Sequence, residues 1–405
     1  MSTAEAPEAI ITTPAQLKGL VDHLRESARF AFDTEFVSEE TFEPVLCLIQ
    51  VATRERLAVI DPLAVRDVGP FWDVVLDPAV QVVMHASGED LRICMLRTGS
   101  LPRRVFDVQM AAGMVGFNYP LSLVNLVGQV KDISLSGSET RTDWRHRPLS
   151  PAQLRYALDD VRHLLDLADQ FADRLTQLGR TEWANAEFDD LLESIAQRAD
   201  LDRWRKLPGL HQLSRRSLEM ARRLAEWRED EARRLNRPLR QVVRDDLLVA
   251  IAKRQPRNRR DLEALRDFNR PALLNRSQEI LAILDHARTV PDDQLPDLPA
   301  RPEEPPGLAT VTNLLSAALA QCCAQNQLAG SLVANVSDLK HLVRWHTGGR
   351  DHSNPPSLLQ GWRGEVCGPL LLDVLDGKLA LRVVDPDSEY PVALEKLAAK
   401  PRPSD

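Results

Sequence analysis

Asp33 and Glu35 stand two residues apart in Phe32-Asp33-Thr34-Glu35-Phe36, within a run of strand-forming residues. The side-chain period of a strand is two, so both carboxylates point to one face. Two acids side by side repel unless a cation lies between them. A third acid, Asp90, occurs in His85-Ala86-Ser87-Gly88-Glu89-Asp90-Leu91, just after an apolar run and where the next helix opens. Tyr156 and Asp160 are four apart in a helical pattern and stack on one helix face. Asp160 borders the apolar stripe of Ala157, Val161 and Leu164, which puts it at the edge of a core. Carboxylates are hard oxygen ligands, and the ions they suit are Mg²⁺ and Mn²⁺. Softer sites are not indicated: the five cysteines have no Cys-x-x-Cys spacing and the nine histidines no His-Glu-x-x-His.

Each piece has a plainer reading by itself. Asp33 and Glu35 could be exposed ladder charges, Asp90 a complement to a helix N-terminus, and Tyr156 with Asp160 an ordinary helical pair. Their order and spacing together argue for a common site.

The elements that must position these residues follow the rhythm of an α/β layer fold over the first 170 or so residues. Strands are expected at Phe30–Asp33, Val45–Ala52, Leu57–Ile60 and Val82–His85. Thr13-Pro14 announces one helix. The Ser-x-x-Gln box Ser150-Pro151-Ala152-Gln153 announces another, expected to run from about 151 to 175 and to carry Tyr156 and Asp160. Beyond residue 180 strand signals fade, and helical periodicity dominates residues 214–235. Six prolines between Pro291 and Pro306 mark a linker. The expected organisation is an α/β domain over 1–180, a helical domain over 205–290, the linker 291–307, a second helical domain over 308–385, and a tail over 386–405.

The chain has 405 residues, 43% of them hydrophobic, enough for more than one core. It contains no apolar stretch approaching the roughly 20 residues needed to span a bilayer, and its odd cysteine count argues against a disulfide framework. A cytoplasmic, monomeric protein with no membrane association is expected. The net charge of −8 hides an asymmetry: residues 201–260 contain 18 Lys and Arg against 8 Asp and Glu. A basic middle beside an acidic remainder suits a chain that holds a polyanion in one place and gathers carboxylates in another.

In order along the chain, Asp33-Thr34-Glu35-Phe36, Leu48-Ile49-Gln50, Ile60-Asp61-Pro62-Leu63, Glu89-Asp90-Leu91, Arg141-Thr142-Asp143-Trp144 with Arg147-Pro148-Leu149, and Tyr156 to Asp160 resemble the ribonuclease D family of DEDD exonucleases, tyrosine subclass. Residues 205–297 resemble an HRDC domain, and the end, with Trp345 and Gly361-Trp362-Arg363-Gly364-Glu365, resembles a second HRDC-like domain. The resemblance implies a ribonuclease H-like exonuclease domain, a mixed sheet flanked by helices, followed by two all-α HRDC-type domains. It implies 3′→5′ hydrolysis of RNA with a free 3′ end, transfer-RNA precursors and other structured RNAs among them, releasing nucleoside 5′-monophosphates. It also implies two divalent ions held by Asp33, Glu35, Asp90 and Asp160, with Tyr156 orienting or deprotonating the water. Glu35 would also meet the terminal 3′-hydroxyl. One departure is Gly137, where many relatives carry a lysine.

RNA contacts are expected from two places. Arg141 and Trp144 precede the catalytic helix and could meet phosphate and base, the alternative for Trp144 being loop packing. Lys253, Arg254, Arg257, Arg259 and Arg260 have few nearby acids and suit phosphate contact. The arginines of residues 215–234 are interleaved with Glu226, Glu229 and Glu231, and fit a solvated, salt-bridged face equally well. His85 is read as a satisfied strand-end histidine in preference to a group supporting the ligands. Two rivals stand beside this reading: a DNA exonuclease of the proofreading or repair kind, and a nucleic-acid-binding scaffold with an inactive fold. The absence of a Gly-rich Lys-Ser/Thr loop weakens the first, and the intact acidic set weakens the second.

Overall fold

The structure, a computed structural model, describes residues 8–135, 139, 142–200, 203–298, 304–388 and 390–397. Gly137 and Arg141 lie outside the described residues. Glu8–Ile11 (β1), Arg29–Val37 (β2), Val45–Ala52 (β3), Leu57–Ile60 (β4), Gln81–Met84 (β5) and Val105–Asp107 (β6) form one mixed sheet in the order β1-β4-β3-β2-β5-β6. The central β2 runs antiparallel to β3 and parallel to β5. It also outruns β5: the parallel pairing stops at Ala31, while β2 continues past Asp33 and Glu35.

The sheet sorts its side chains by parity, as the period of two requires. Phe30, Phe32, Ile49, Val51 and Ile60 face Pro14–Ser27 (α1) and, beyond the one-turn Pro62–Val65 (α2), the helices Gly69–Val75 (α3) and Gly88–Thr98 (α4). Ala31, Leu48, Ala52, Leu57 and Val59 face the other layer. That layer comprises Val108–Met114 (α5), Leu123–Lys131 (α6), Pro151–Arg162 (α7) and Leu164–Gln177 (α8). Capping boxes start α1, from Thr13 and Gln16, and α7, from Ser150 and Gln153. The single helix expected from 151 to 175 is broken at His163. The break lets α7 lie over β3 and β4 while α8 turns towards β5 and α5, which one straight rod could not do. Thr181–Asp200 (α9), beyond the expected domain end, packs against α4, α5 and β6.

A separate apolar core holds the middle unit: Arg215–Leu235 (α10), Leu239–Val242 (α11), Asp245–Arg254 (α12), Arg259–Glu263 (α13), Pro271–Leu274 (α14) and Ser277–Thr289 (α15). It meets the sheet domain where Phe42 N–H donates to Asn236 Oδ1 at 3.2 Å and the Arg233 guanidinium lies 5.1 Å from the Phe42 ring centre.

The last unit is helical through Leu308–Gln325 (α16), Gly330–Val333 (α17), Val336–Thr347 (α18), Gly361–Val366 (α19) and Gly368–Leu375 (α20). Its core is continuous with the α5–α9 layer. Gly113 makes this possible: a Cβ there would stand 3.1 Å from Tyr119 Cβ and 3.2 Å from Leu332 Cδ2, while its carbonyl accepts from Ala329 N–H at 2.8 Å. Arg180 donates to the carbonyls of Met114 at 2.7 Å and Gln327 at 3.1 Å, and buried Glu187 accepts from Trp362 Nε1 and Arg363, both at 2.8 Å. The expected helical domain over 308–385 instead ends in a strand, Leu379–Val383 (β7), which pairs with Val392–Lys396 (β8) of the expected tail in an antiparallel hairpin. Each strand is only five residues long and lacks a clean apolar–polar alternation, Leu-Ala-Leu-Arg-Val and Val-Ala-Leu-Glu-Lys about a turn containing Asp385-Pro386-Asp387, so the period of two gives little signal there. No described helix is long and apolar enough to cross a membrane.

Candidate active site

Asp33 and Glu35 project from β2 onto the face covered by α7, because Ala31 on the same parity packs with Ala157 and Val161. There α7 brings Asp160. Carboxylate oxygens of Asp33, Glu35 and Asp160 all lie within 4.8 Å of one another, the one such group of potential ligands among the described residues. Tyr156, one turn earlier, hydrogen-bonds to the Asp160 carboxylate.

Asp90 arrives from the opposite layer, in the first turn of α4. It stands just outside the three-carboxylate group, buried, and accepts from the Thr34 hydroxyl. Thr34 points away from Asp33 and Glu35 by strand alternation, so one strand segment serves acids on both sides. Asp90 is nonetheless the strongest charged neighbour of Asp33.

The electrostatics are those of a site built for added positive charge. Burial first, and then the charges of Asp90, Asp160 and Glu35, hold Asp33 well above the usual carboxylate range. Burial and the charges of Asp160 and Asp90 push Glu35 up to about 8. Burial raises Asp90 to about 7 against the opposing Thr34 hydrogen bond, and raises Asp160 to about 7 against the opposing Tyr156 bond. Such a set repels itself when ionised and would be relieved by a divalent cation. Hard carboxylate oxygens, close together and partly buried, fit that ion class.

The surroundings hold the site in shape. Arg147 donates through Nε and a terminal nitrogen to both oxygens of buried Asp61, at 2.5 and 2.9 Å, and also to the carbonyls of Cys47 and Trp144, each at 2.8 Å. This ties the loop before α7 to the sheet. Trp144 is 2% exposed and packs beside Tyr156, ring centres 6.1 Å apart. A ring with so little surface cannot offer its face to a base, so the structure realises the packing alternative and corrects the RNA-contact expectation for Trp144. His85 Nε2–H donates to the Leu121 carbonyl at 3.0 Å, the satisfied-histidine reading.

The basic residues divide sharply. On α10, Arg215 and Arg216 donate to carbonyls near the end of the unit, Arg222 and Arg223 pair with buried Glu219, Arg233 with Glu229 and Asp230, and Arg234 with Glu231. They are committed inside the protein. Lys253 donates to Gln212 and Arg259 pairs with Glu263, whereas the exposed guanidinium groups of Arg254, Arg257 and Arg260 make no ion pair among the described residues. Three features escaped sequence reasoning: the Thr34 bond to Asp90, the Asp61–Arg147 clamp, and Gln50, fully buried opposite Asp33 with both amide atoms unpartnered. For Gln50 a signal existed, a lone amide in the apolar run Val45–Ala52.

Comparison with known proteins agrees with this geometry. A family model described as a 3′→5′ exonuclease matches residues 9–176, and the HRDC domain model matches residues 217–284. The chain is 34% identical over 386 residues to ribonuclease D of Gluconacetobacter diazotrophicus, covering 94% of this chain and 96% of the relative. It is 30% identical over 370 residues to ribonuclease D of Escherichia coli, covering 90% and 98%. The crystal structure of Escherichia coli ribonuclease D superposes with a TM-score of 0.79 at 28% identity, covering 92% of this chain and 99% of that one. A protein from Bifidobacterium adolescentis has the same fold, with a TM-score of 0.65 at 22% identity over 92% of this chain and 97% of that one. The resemblance read from the motifs is thereby borne out: the chain belongs to the ribonuclease D family of 3′→5′ exoribonucleases.

Proposed function

We propose that this enzyme is a metal-dependent exoribonuclease that removes nucleotides one at a time from the free 3′ ends of structured RNAs, transfer-RNA precursors among them, releasing nucleoside 5′-monophosphates. The observation that carries it is the convergence of Asp33, Glu35 and Asp160 from two elements onto one point, with Asp90 alongside. The Escherichia coli relative is described as an exoribonuclease involved in structured RNA processing, which supports the substrate class.

Asp33, Glu35, Asp160 and Asp90 would hold two divalent ions, Mg²⁺ or Mn²⁺. Bound there, such ions neutralise charge building up on the phosphodiester and acidify the attacking water. The chain's own groups do the rest. Tyr156, hydrogen-bonded to Asp160, orients the water along the line of the breaking bond, and Glu35 meets the terminal 3′-hydroxyl, which confines attack to free 3′ ends. Arg254, Arg257 and Arg260, with Lys253 and Arg259, offer positive charge to RNA phosphates away from the site. Arg141 is assigned to phosphate contact by its sequence position alone. The reading includes a monomer working in the cytoplasm, consistent with five cysteines that are all free and buried.

The test is digestion of matched 5′-labelled RNA and DNA, with free or blocked 3′ ends, in Mg²⁺, Mn²⁺ or EDTA. Stepwise shortening of RNA alone, stopped by EDTA and by the 3′ block, is expected. Equal attack on DNA would move the assignment to a DNA exonuclease, and no cleavage in any lane to an inactive scaffold.

A further inference from the structure

Gln50 is a buried polar group beside the acidic cluster that the scheme above leaves unused. It stands in β3, with no exposed surface, and neither Oε1 nor Nε2 has a hydrogen-bond partner. A buried amide gives up its hydrogen bonds to water, and without replacements that loss counts against folding. Leu or Met would fill the space without it. Such a group in a native core calls for a use in the working cycle.

The strand register indicates the use. Gln50 is directly opposite Asp33 in the antiparallel β2–β3 pair. Opposite residues project to the same face with Cβ atoms roughly 4.5–5.5 Å apart. Leu48 and Ala52, two residues to either side, pack with Ala157 and Val161 of α7, so the Gln50 amide lies under the helix that brings Asp160. Its cross-strand neighbour on β4 is Val59, which offers no polar side-chain atom. Asp33 is the acceptor that the register supplies.

We propose that Gln50 is a positioning residue for Asp33: its Nε2–H donates to the Asp33 carboxylate when the acidic cluster holds a divalent cation, and so sets which carboxylate oxygens face the ion. The proposal rests on the metal-site reading above. A neutral amide suits this task better than Lys or Arg, because it restrains the carboxylate without placing a competing positive charge in the cluster. Groups that orient metal ligands in this way change metal affinity when they are removed.

The full-length chain carrying Gln50→Leu is compared with the native chain and with Asp33→Asn, by calorimetric titration with Mn²⁺ in the absence of RNA and by thermal melting in EDTA. Gln50→Leu is expected to melt at or above the native temperature in EDTA, yet to bind Mn²⁺ roughly 10–100-fold more weakly. Its kcat on RNA falls with KM little changed, and high Mn²⁺ recovers part of the loss. Native Mn²⁺ affinity in Gln50→Leu beside a weakened Asp33→Asn overturns the proposal and leaves the metal site standing. Native affinity in both variants overturns the metal-site reading itself. Gln50→Met, closer in shape, carries the same test if the Leu variant does not fold; failure of both to fold assigns Gln50 to packing and overturns the proposal.

Discussion

Thr34, the residue between the two β2 carboxylates, donates its hydroxyl hydrogen to Asp90 on α4. One strand segment therefore presents two acids to one layer and holds a third acid from the other. Thr34→Val keeps the shape and removes the donor, leaving a buried carboxylate short of a partner at a cost of roughly 1–3 kcal/mol. A lower melting temperature and at least a tenfold loss of turnover are expected, with Thr34→Ser near native in both. Equal behaviour of Val and native chains in melting and steady-state assays would remove Thr34 from the site.

Asp33→Asn should abolish hydrolysis while RNA binding in Mg²⁺-free buffer survives, because binding draws on the helical units and catalysis on the acids. Filter binding and a labelled-RNA assay on the same preparation separate the two. Native activity in the variant would sink the assigned site.

The raised carboxylates set a stability-versus-pH sign. Glu35 is held at about 8 and Asp90 and Asp160 at about 7, against roughly 4 in the unfolded chain. Between those limits the native chain binds more protons than the unfolded one, so stability falls as pH rises through the window. Melts in EDTA should therefore show Tm dropping from about pH 5 to pH 8, by roughly 2–4 °C for each kcal/mol lost. Mg²⁺ should restore most of the loss at the upper end and little at the lower end, where protons compete for the ligands. A Tm at pH 8 that ignores Mg²⁺ would argue against a cation in the cluster.

Arg147→Ala opens the clamp on Asp61 and frees the loop that packs Trp144 behind Tyr156. Removing one partner of a buried pair costs roughly 3–5 kcal/mol, and Arg147 is partly exposed, so the lower end applies. Arg147→Lys should recover little, since the fork of two donors onto both Asp61 oxygens is lost. Chemical denaturation and kcat measured together give the check.

Replacing Arg254, Arg257 and Arg260 together by Gln should weaken RNA binding and flatten its salt dependence, by about 0.7 in the log–log slope for each lost single-strand phosphate contact. The same triple change on Arg222, Arg223 and Arg234 should instead lower stability, because those groups are spent on Glu219 and Glu231. An unchanged slope in the first variant would place the RNA grip elsewhere.

What was legible from sequence was what depends on local periodicity. Strand alternation alone placed Asp33 and Glu35 on one face, helical spacing placed Tyr156 beside Asp160, and the Ser150 and Gln153 box marked where that helix starts. The strands at 45–52 and 57–60 could be read to the residue, because apolar runs between turn signals have few other uses. The separation of a basic middle from an acidic remainder was visible by counting.

Only the tertiary structure decided which charges are available and which are spent. Arg254 and Arg259 stand in one basic run, yet Arg254 is exposed and makes no ion pair among the described residues, whereas Arg259 pairs with Glu263. The break at His163, the hairpin of β7 and β8, and the seating of the last unit on Gly113 likewise answer to packing between distant segments. Gln50 makes the same point within the site: its identity was in plain view, but its burial opposite Asp33 exists only once β2 and β3 pair, since register is a property of two strands and not of either one.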